Sequence, residues 1–118
     1  MIDFSQRPWF DGTRWLTVPD LVERLGVSVG RVRRLLEDHV LLGARIDGVL
    51  RVPEGFLRGD EPLHELKGTI TVLFDNAFTE DEALDWMLSV EESLGVSPLD
   101  ALLAGRKAEV RRVAQSLL

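Results

Sequence analysis

Residues Thr17 to Asp38 read TVPDLVERLGVSVGRVRRLLED, and the punctuation of this stretch leaves little freedom in how it folds. Thr17 is placed to cap a helix, Pro19 falls in the first turn where a missing N–H does no harm, and Asp20 completes a near capping box. Leu21, Val22 and Leu25 then form one apolar face, with Glu23 and Arg24 turned to water. Gly26 tolerates the left-handed C′ position and ends this helix, and Ser28 caps the next at once. Two helices joined by so short a turn must cross steeply, which makes the stretch a helix-turn-helix.

On a wheel of about 100° per residue, Val29, Val32, Leu36 and Val40 gather on one side with Leu35 beside them. Gly30, Arg31 and Arg34 lie most nearly opposite, and Arg33 lies on the flank. The second helix, 29–38, is therefore expected to pack through valine and leucine and to present Gly30, Arg31 and Arg34 near its N-terminus. That is the end a recognition helix inserts into the DNA major groove. Gly30 costs about 1 kcal/mol against alanine in a helix, so close approach of its backbone to DNA or to the first helix is wanted as a reason. Three arginines are also what an ordinary solvated helix face carries, and the segment that follows separates the two readings.

Ala44 to Val52, ARIDGVLRV, is two short β-prone runs joined by Asp47-Gly48, the strongest local signal for a two-residue type I′ hairpin. A hairpin straight after a helix-turn-helix is a wing. Arg45 and Arg51 lie on its two arms, where guanidinium groups reach backbone phosphates while the helix addresses base edges. The same two side chains equally fit the solvated ends of a structural hairpin. The pattern Leu25-Gly26-Val27-Ser28, Arg33-Arg34, Arg45-Ile46, Arg51-Val52-Pro53 resembles the excisionase and MerR-like winged helices.

Composition sets the outer limits. The 118 residues, 45 % hydrophobic, suit one compact domain or two very small ones. The absence of cysteine excludes disulfides and thiolate metal sites and suits a reducing compartment. No apolar run approaches the roughly 20 residues needed to span a bilayer, and the N-terminus MIDFSQRPWF lacks a basic region followed by an apolar stretch. The expectation is a cytoplasmic protein without membrane contact, associated with the nucleoid when bound to DNA. A net charge of −6 opposes DNA until it is divided: residues 1–58 sum to +1 and residues 59–118 to −7. Even +1 is modest, so a single copy is expected to bind weakly.

Arg58-Gly59-Asp60-Glu61-Pro62 reads as a joint, giving a winged domain over 1–58, a linker over 59–62 and a helical domain over 63–118. Within Leu63 to Phe78, Thr69–Phe74 is β-branched enough for a strand. Leu63, Leu66, Ile70, Leu73 and Ala77 nevertheless fit a helical stripe, and helix is favoured because no partner strand is apparent, with Gly68 a weak point. Thr79 and Glu82 form a capping box for a helix whose inward face is Ala83, Trp86, Met87 and Val90, ending before Gly95. Ser97-Pro98 starts a short helix that Gly105 closes, and Arg106 to Leu118 makes a terminal helix with Val110, Val113, Ala114 and Leu117 on one side. The fold class expected is mainly α with a small β-hairpin wing: a winged helix-turn-helix followed by a C-terminal helical bundle.

Leu66-Lys67-Gly68-Thr69, Thr79 to Trp86, Glu92-Ser93-Leu94, Ser97 to Leu102, Gly105-Arg106 and Glu109 to Arg112 resemble the C-terminal domain of a small actinobacterial DNA-binding family. In that family this domain follows a winged helix-turn-helix, so the two resemblances cover nearly the whole chain. The Pro-Leu-x-x-Leu, glycine, Glu-Val arrangement is also similar, at the level of fold, to the toxin-binding domain of Xre/MbcA/ParS antitoxins. The family includes a Ser/Thr-kinase substrate, which draws attention to Ser5, Thr13 and Thr17 near the winged half. The chain has almost no N-terminal tail to carry a kinase site, and Ser5 and Thr13 read first as loop residues.

No nucleophile motif or phosphate loop is present, so no enzyme, cofactor, metal or small-molecule substrate is expected. His39 and His64 stand in no metal-ligand spacing; His39 falls on the buried side of the second helix, where packing or hydrogen bonding occupies it. Glu80-Asp81-Glu82 and Glu91-Glu92 are helix-start and surface charge. Trp86 reads as a core anchor, and Trp9 and Trp15, near Phe4 and Phe10, as a staple of the N-terminus onto the winged half. The function expected is a transcriptional regulator in which Ser28, Gly30, Arg31 and Arg34 address the major groove of double-stranded DNA and Arg33, Arg45 and Arg51 contact phosphates. The competing reading is an antitoxin-like or adaptor module working through the acidic C-terminal half, which is also where a second copy or protein partner would dock.

Overall fold

The computed structural model describes residues 2–117. Its elements run β1 (Trp15–Thr17), α1 (Val18–Leu25), α2 (Val29–Glu37), β2 (Ala44–Ile46), β3 (Val49–Pro53), β4 (Leu57–Arg58), β5 (Glu61–Pro62), α3 (Leu66–Asp75), α4 (Glu80–Leu88), α5 (Pro98–Leu103) and α6 (Lys107–Gln115). The chain is mainly helical with small antiparallel sheets: a winged helix-turn-helix followed by four packed helices.

The helix starts are those the sequence dictates. Thr17 and Asp20 exchange main-chain and side-chain hydrogen bonds in a full capping box, as do Thr79 and Glu82. Ser28 accepts from the Arg31 amide, and Ser97 from the Asp100 amide. Gly26 takes the left-handed conformation, φ 66°, that turns the chain between α1 and α2. Residues 69–74 are helical, within α3. The neighbours explain why. The faces of α3 lie against α4 and α6, and Gly68 leaves the room in which the Arg111 guanidinium of α6 rests on α3.

The wing forms as expected, with Asp47 and Gly48 both at positive φ, 53° and 78°, as a type I′ turn requires. A third strand was not foreseen: β1 pairs antiparallel with β3, giving the order β1-β3-β2. Three residues ending in the helix cap carry no visible alternation, so the pairing is a tertiary event. Residues 59–62, expected as a joint, fall within and beside the short β4–β5 ladder, in which Arg58 lies opposite Glu61. The Leu63 amide donates to the Phe56 carbonyl at 2.8 Å, closing this hairpin.

One cluster of buried side chains runs through both halves, from Leu21, Val32 and Leu42 through Phe56 to Leu66, Leu84 and Leu102. The N-terminal segment clamps the outside. Trp9 stacks at an angle with Phe4, Phe10 and Trp15, ring centroids 5.7–6.3 Å apart. Its indole N–H donates to Ser89 Oγ at 3.1 Å and Asp85 Oδ1 at 3.3 Å, and Arg7 pairs with Asp85 at 3.0 Å. The staple therefore holds the second half as well as the first.

Several inward assignments need correction. Val29 is exposed, and Val32 and Leu35 form the buried face of α2. α4 stops at Leu88, leaving Val90 exposed, and its inward residues are Ala83, Leu84 and Met87. Trp86 is only half-buried, its indole donating to Glu91. Arg24 is not free in water: it donates to the Gly59 carbonyl and to Glu54, both at 2.9 Å. His39 sits beyond α2 at φ 57°, edge-on to Phe74 and 3.3 Å from Glu80. α6 is shorter than expected, ending at Gln115, and Leu118, like Met1, lies outside the described residues.

Phe56 is fully buried between the two halves, so Phe56→Ala is expected to destabilise the protein by about 3–5 kcal/mol. Urea denaturation followed at Trp15 and Trp86 should show both probes lost in one transition at a lower midpoint; separate transitions would show that the halves fold independently.

Candidate nucleic-acid interface

Ser28, Val29, Gly30, Arg31, Arg33 and Arg34 form an exposed surface at the first two turns of α2. Among the described residues none of these three arginines forms an ion pair or a side-chain hydrogen bond. Gly30 has no neighbour from α1: a Cβ there would meet nothing nearer than Ser28 Oγ at 3.9 Å. Close packing within the protein is thus no reason for glycine. The Ser28 oxygen is occupied by the Arg31 amide at 3.1 Å, but its O–H remains a donor. Arg31 shares a shallow depression with Leu25, Val27, Leu35 and the acidic residues Asp60 and Glu61 at the β4–β5 turn. Those acids approach α2 from the second half, which the sequence could not reveal.

The two wing arginines part company. In the register, Arg45 lies opposite Leu50, while Arg51 lies opposite Ala44 on one side and Thr17 on the other. Residues directly opposite share a face and successive residues alternate, so Arg45 and Arg51 are on opposite faces of the sheet. Arg45 is exposed at the wing tip, its guanidinium folded onto the Gly48 carbonyl at 3.3 Å. Arg51 is half-buried, with Nε enclosed and unpartnered. It lies toward the start of α1, near enough to Asp20 to lower its pKa together with Arg14.

Arg14 is the basic residue that sequence reasoning missed. Its side chain is 77 % exposed in the loop before β1, loosely paired with Glu54 at 3.6 Å, and no local pattern marks it. At the start of α1 the Thr17 amide, then the Thr17 hydroxyl, hold the Asp20 carboxyl below its ordinary range, with Arg14 and Arg51 adding weaker attraction. Because the folded value is depressed, the cap is at full strength above the ordinary aspartate value and weakens as pH falls through the lowered one.

Two helices joined through the left-handed Gly26, an exposed arginine face on the second, and a hairpin wing after it define a winged helix-turn-helix protein. The comparisons agree. Residues 10–57 match the family model of the winged helix-turn-helix domain of DNA-binding protein Rv2175c, and residues 63–117 match the Rv2175c C-terminal domain of unknown function. The chain belongs to the Rv2175c family. It is 29 % identical over 113 residues to DNA-binding protein Rv2175c of Mycobacterium tuberculosis, covering 85 % of this chain and 77 % of that protein. The NMR structure of Rv2175c superposes with a TM-score of 0.83 at 26 % identity, over 98 % of this chain and 86 % of the other. The chain is also 28 % identical over 109 residues to peptide chain release factor subunit 1-1 of Methanosarcina acetivorans, covering 92 % of this chain but 26 % of that protein.

An NMR titration should place the Asp20 carboxyl midpoint below 3.8, and Thr17→Val, which removes the hydroxyl acceptor and donor, should move it back toward that value. A midpoint at or above 3.8 in the unsubstituted protein would contradict the cap geometry.

Proposed function

We propose that this protein is a sequence-specific DNA-binding transcriptional regulator that lays the N-terminus of α2 in the major groove and its wing along the phosphates. The observation that carries the reading is the face of α2: three exposed arginines that form no ion pair among the described residues, beside a glycine that the protein's own packing does not require. The family supports it, since the relative whose winged domain matches is named a DNA-binding protein.

Arg34 is put first as base reader, because Arg31 borders a depression that Asp60 and Glu61 also line. Arg33, on the flank, and Arg45, at the wing tip, suit phosphates, and the long Gly48 contact of Arg45 is easily given up. Arg51 belongs with Arg14 at the start of α1, where the first helix of such a motif crosses the DNA backbone. Ser28, at the N-terminal end of α2, donates its hydroxyl to a phosphate, and Gly30 lets the backbone come close. A single unit reads few base pairs, so the acidic second half is assigned to pairing with another copy or a partner protein; exposed Val90, Val96 and Leu103 lie on it.

Fluorescence anisotropy with a duplex selected from a random-sequence pool tests this. Arg34→Ala should lose about 1–3 kcal/mol of discrimination at one base pair. Arg45→Ala should weaken all sequences alike and reduce the salt slope by about 1. Unchanged binding in both variants at two salt concentrations would defeat the assignment.

Gly30→Ala separates binding from folding by sign. The variant should stabilise the helix by up to about 1 kcal/mol, because the site is open and alanine is the better helix former. The same methyl should weaken DNA binding. Equal or tighter binding, with a raised melting temperature, would show that nothing approaches α2 at this point.

A further inference from the structure

Val29 has no folding role that accounts for it. It is the first residue of α2 and 47 % exposed, while Val32 and Leu35 supply the buried face of the helix. It stands one turn before Arg33 on the same side of the helix and directly before Gly30, among polar and cationic neighbours. A solvated position in such a face favours no apolar residue. The major groove does: base edges there offer hydrogen-bond donors and acceptors, and a single apolar group, the C5 methyl of thymine.

We propose that Val29 is a specificity-determining residue that packs on a thymine C5 methyl in the major groove. The inference rests on the DNA reading made above and gives that site a base preference. Three features converge on it. The N-terminal residues of a recognition helix are those that reach base edges. The bare flank at Gly30 lets a side chain as short as valine come within contact distance. Its β-branch holds the two methyl groups in few rotamers, so a fixed apolar surface is presented with little entropy to lose.

The test replaces each thymine of the selected duplex by deoxyuridine in turn, which removes only the C5 methyl and leaves pairing intact. Binding is read by fluorescence anisotropy for the unsubstituted protein and for Val29→Ala, whose melting temperature should be little changed because the side chain is exposed. The unsubstituted protein should lose about fourfold in affinity at one thymine, the factor expected for one buried methyl, and Val29→Ala should be indifferent to the same replacement. Indifference of the unsubstituted protein at every thymine overturns the proposal, as does Val29→Ala retaining the full penalty or a selected site with no thymine facing α2. Failure to hold any duplex overturns it at another level, by removing the DNA reading itself; Arg34→Ala, measured in parallel, distinguishes the two.

Discussion

The two-sidedness of β3 organises the molecule. Its alternation sends Val52, with Leu16 opposite, into the core shared with α1 and α2, and puts Arg51 on the other face between Thr17 and Ala44. Trp15, opposite Pro53 on that second face, receives the N-terminal aromatic cluster. A one-residue slip of register would exchange the two sets, placing an arginine where Val52 is buried. The type I′ turn at Asp47-Gly48 and the β1 pairing fix that register from both sides, and the helix-turn-helix is anchored to it.

The second half is attached through apolar area more than through charge. Phe56, Leu63 and Leu66 carry the core across without a gap, and Trp9 adds an aromatic clamp with its indole N–H satisfied on α4. Aromatic pairs of this kind contribute about 0.5–1.5 kcal/mol each beyond the area they bury. The Arg7–Asp85 pair is partly exposed, and such pairs contribute about 0–1 kcal/mol, so it orients the contact more than it holds it.

Electrostatics divides the surface in a way the net charge of −6 conceals. The exposed arginines of α2 and the wing tip lie in the half that sums to +1, and phosphate attraction responds to that local field. The acids of the second half are not remote from it, because Asp60 and Glu61 line the same depression as Arg31. The boundary between the basic and acidic regions therefore runs along the edge of the recognition helix itself.

Everything that is settled within a turn of chain was legible in the sequence. The caps at Thr17, Ser28, Thr79 and Ser97, the left-handed Gly26 and the Asp-Gly hairpin are each satisfied by groups three or four residues away, so local chemistry alone specifies them. The outward placement of Gly30, Arg31 and Arg34 was legible from helical spacing, and Arg33, read as lying on the flank, is exposed as well. What neighbours distant in the chain decide was not: that Val29 stays in water, that Arg24 is taken by Gly59 and Glu54, that β1 exists, and that Arg45 and Arg51 face opposite ways. A helical wheel gives the side of a residue but not what packs against it, and a strand's alternation has meaning only once its partners and their register are fixed. The sequence by itself determined the helix-turn-helix and its arginines; the tertiary structure decided which of them stand free.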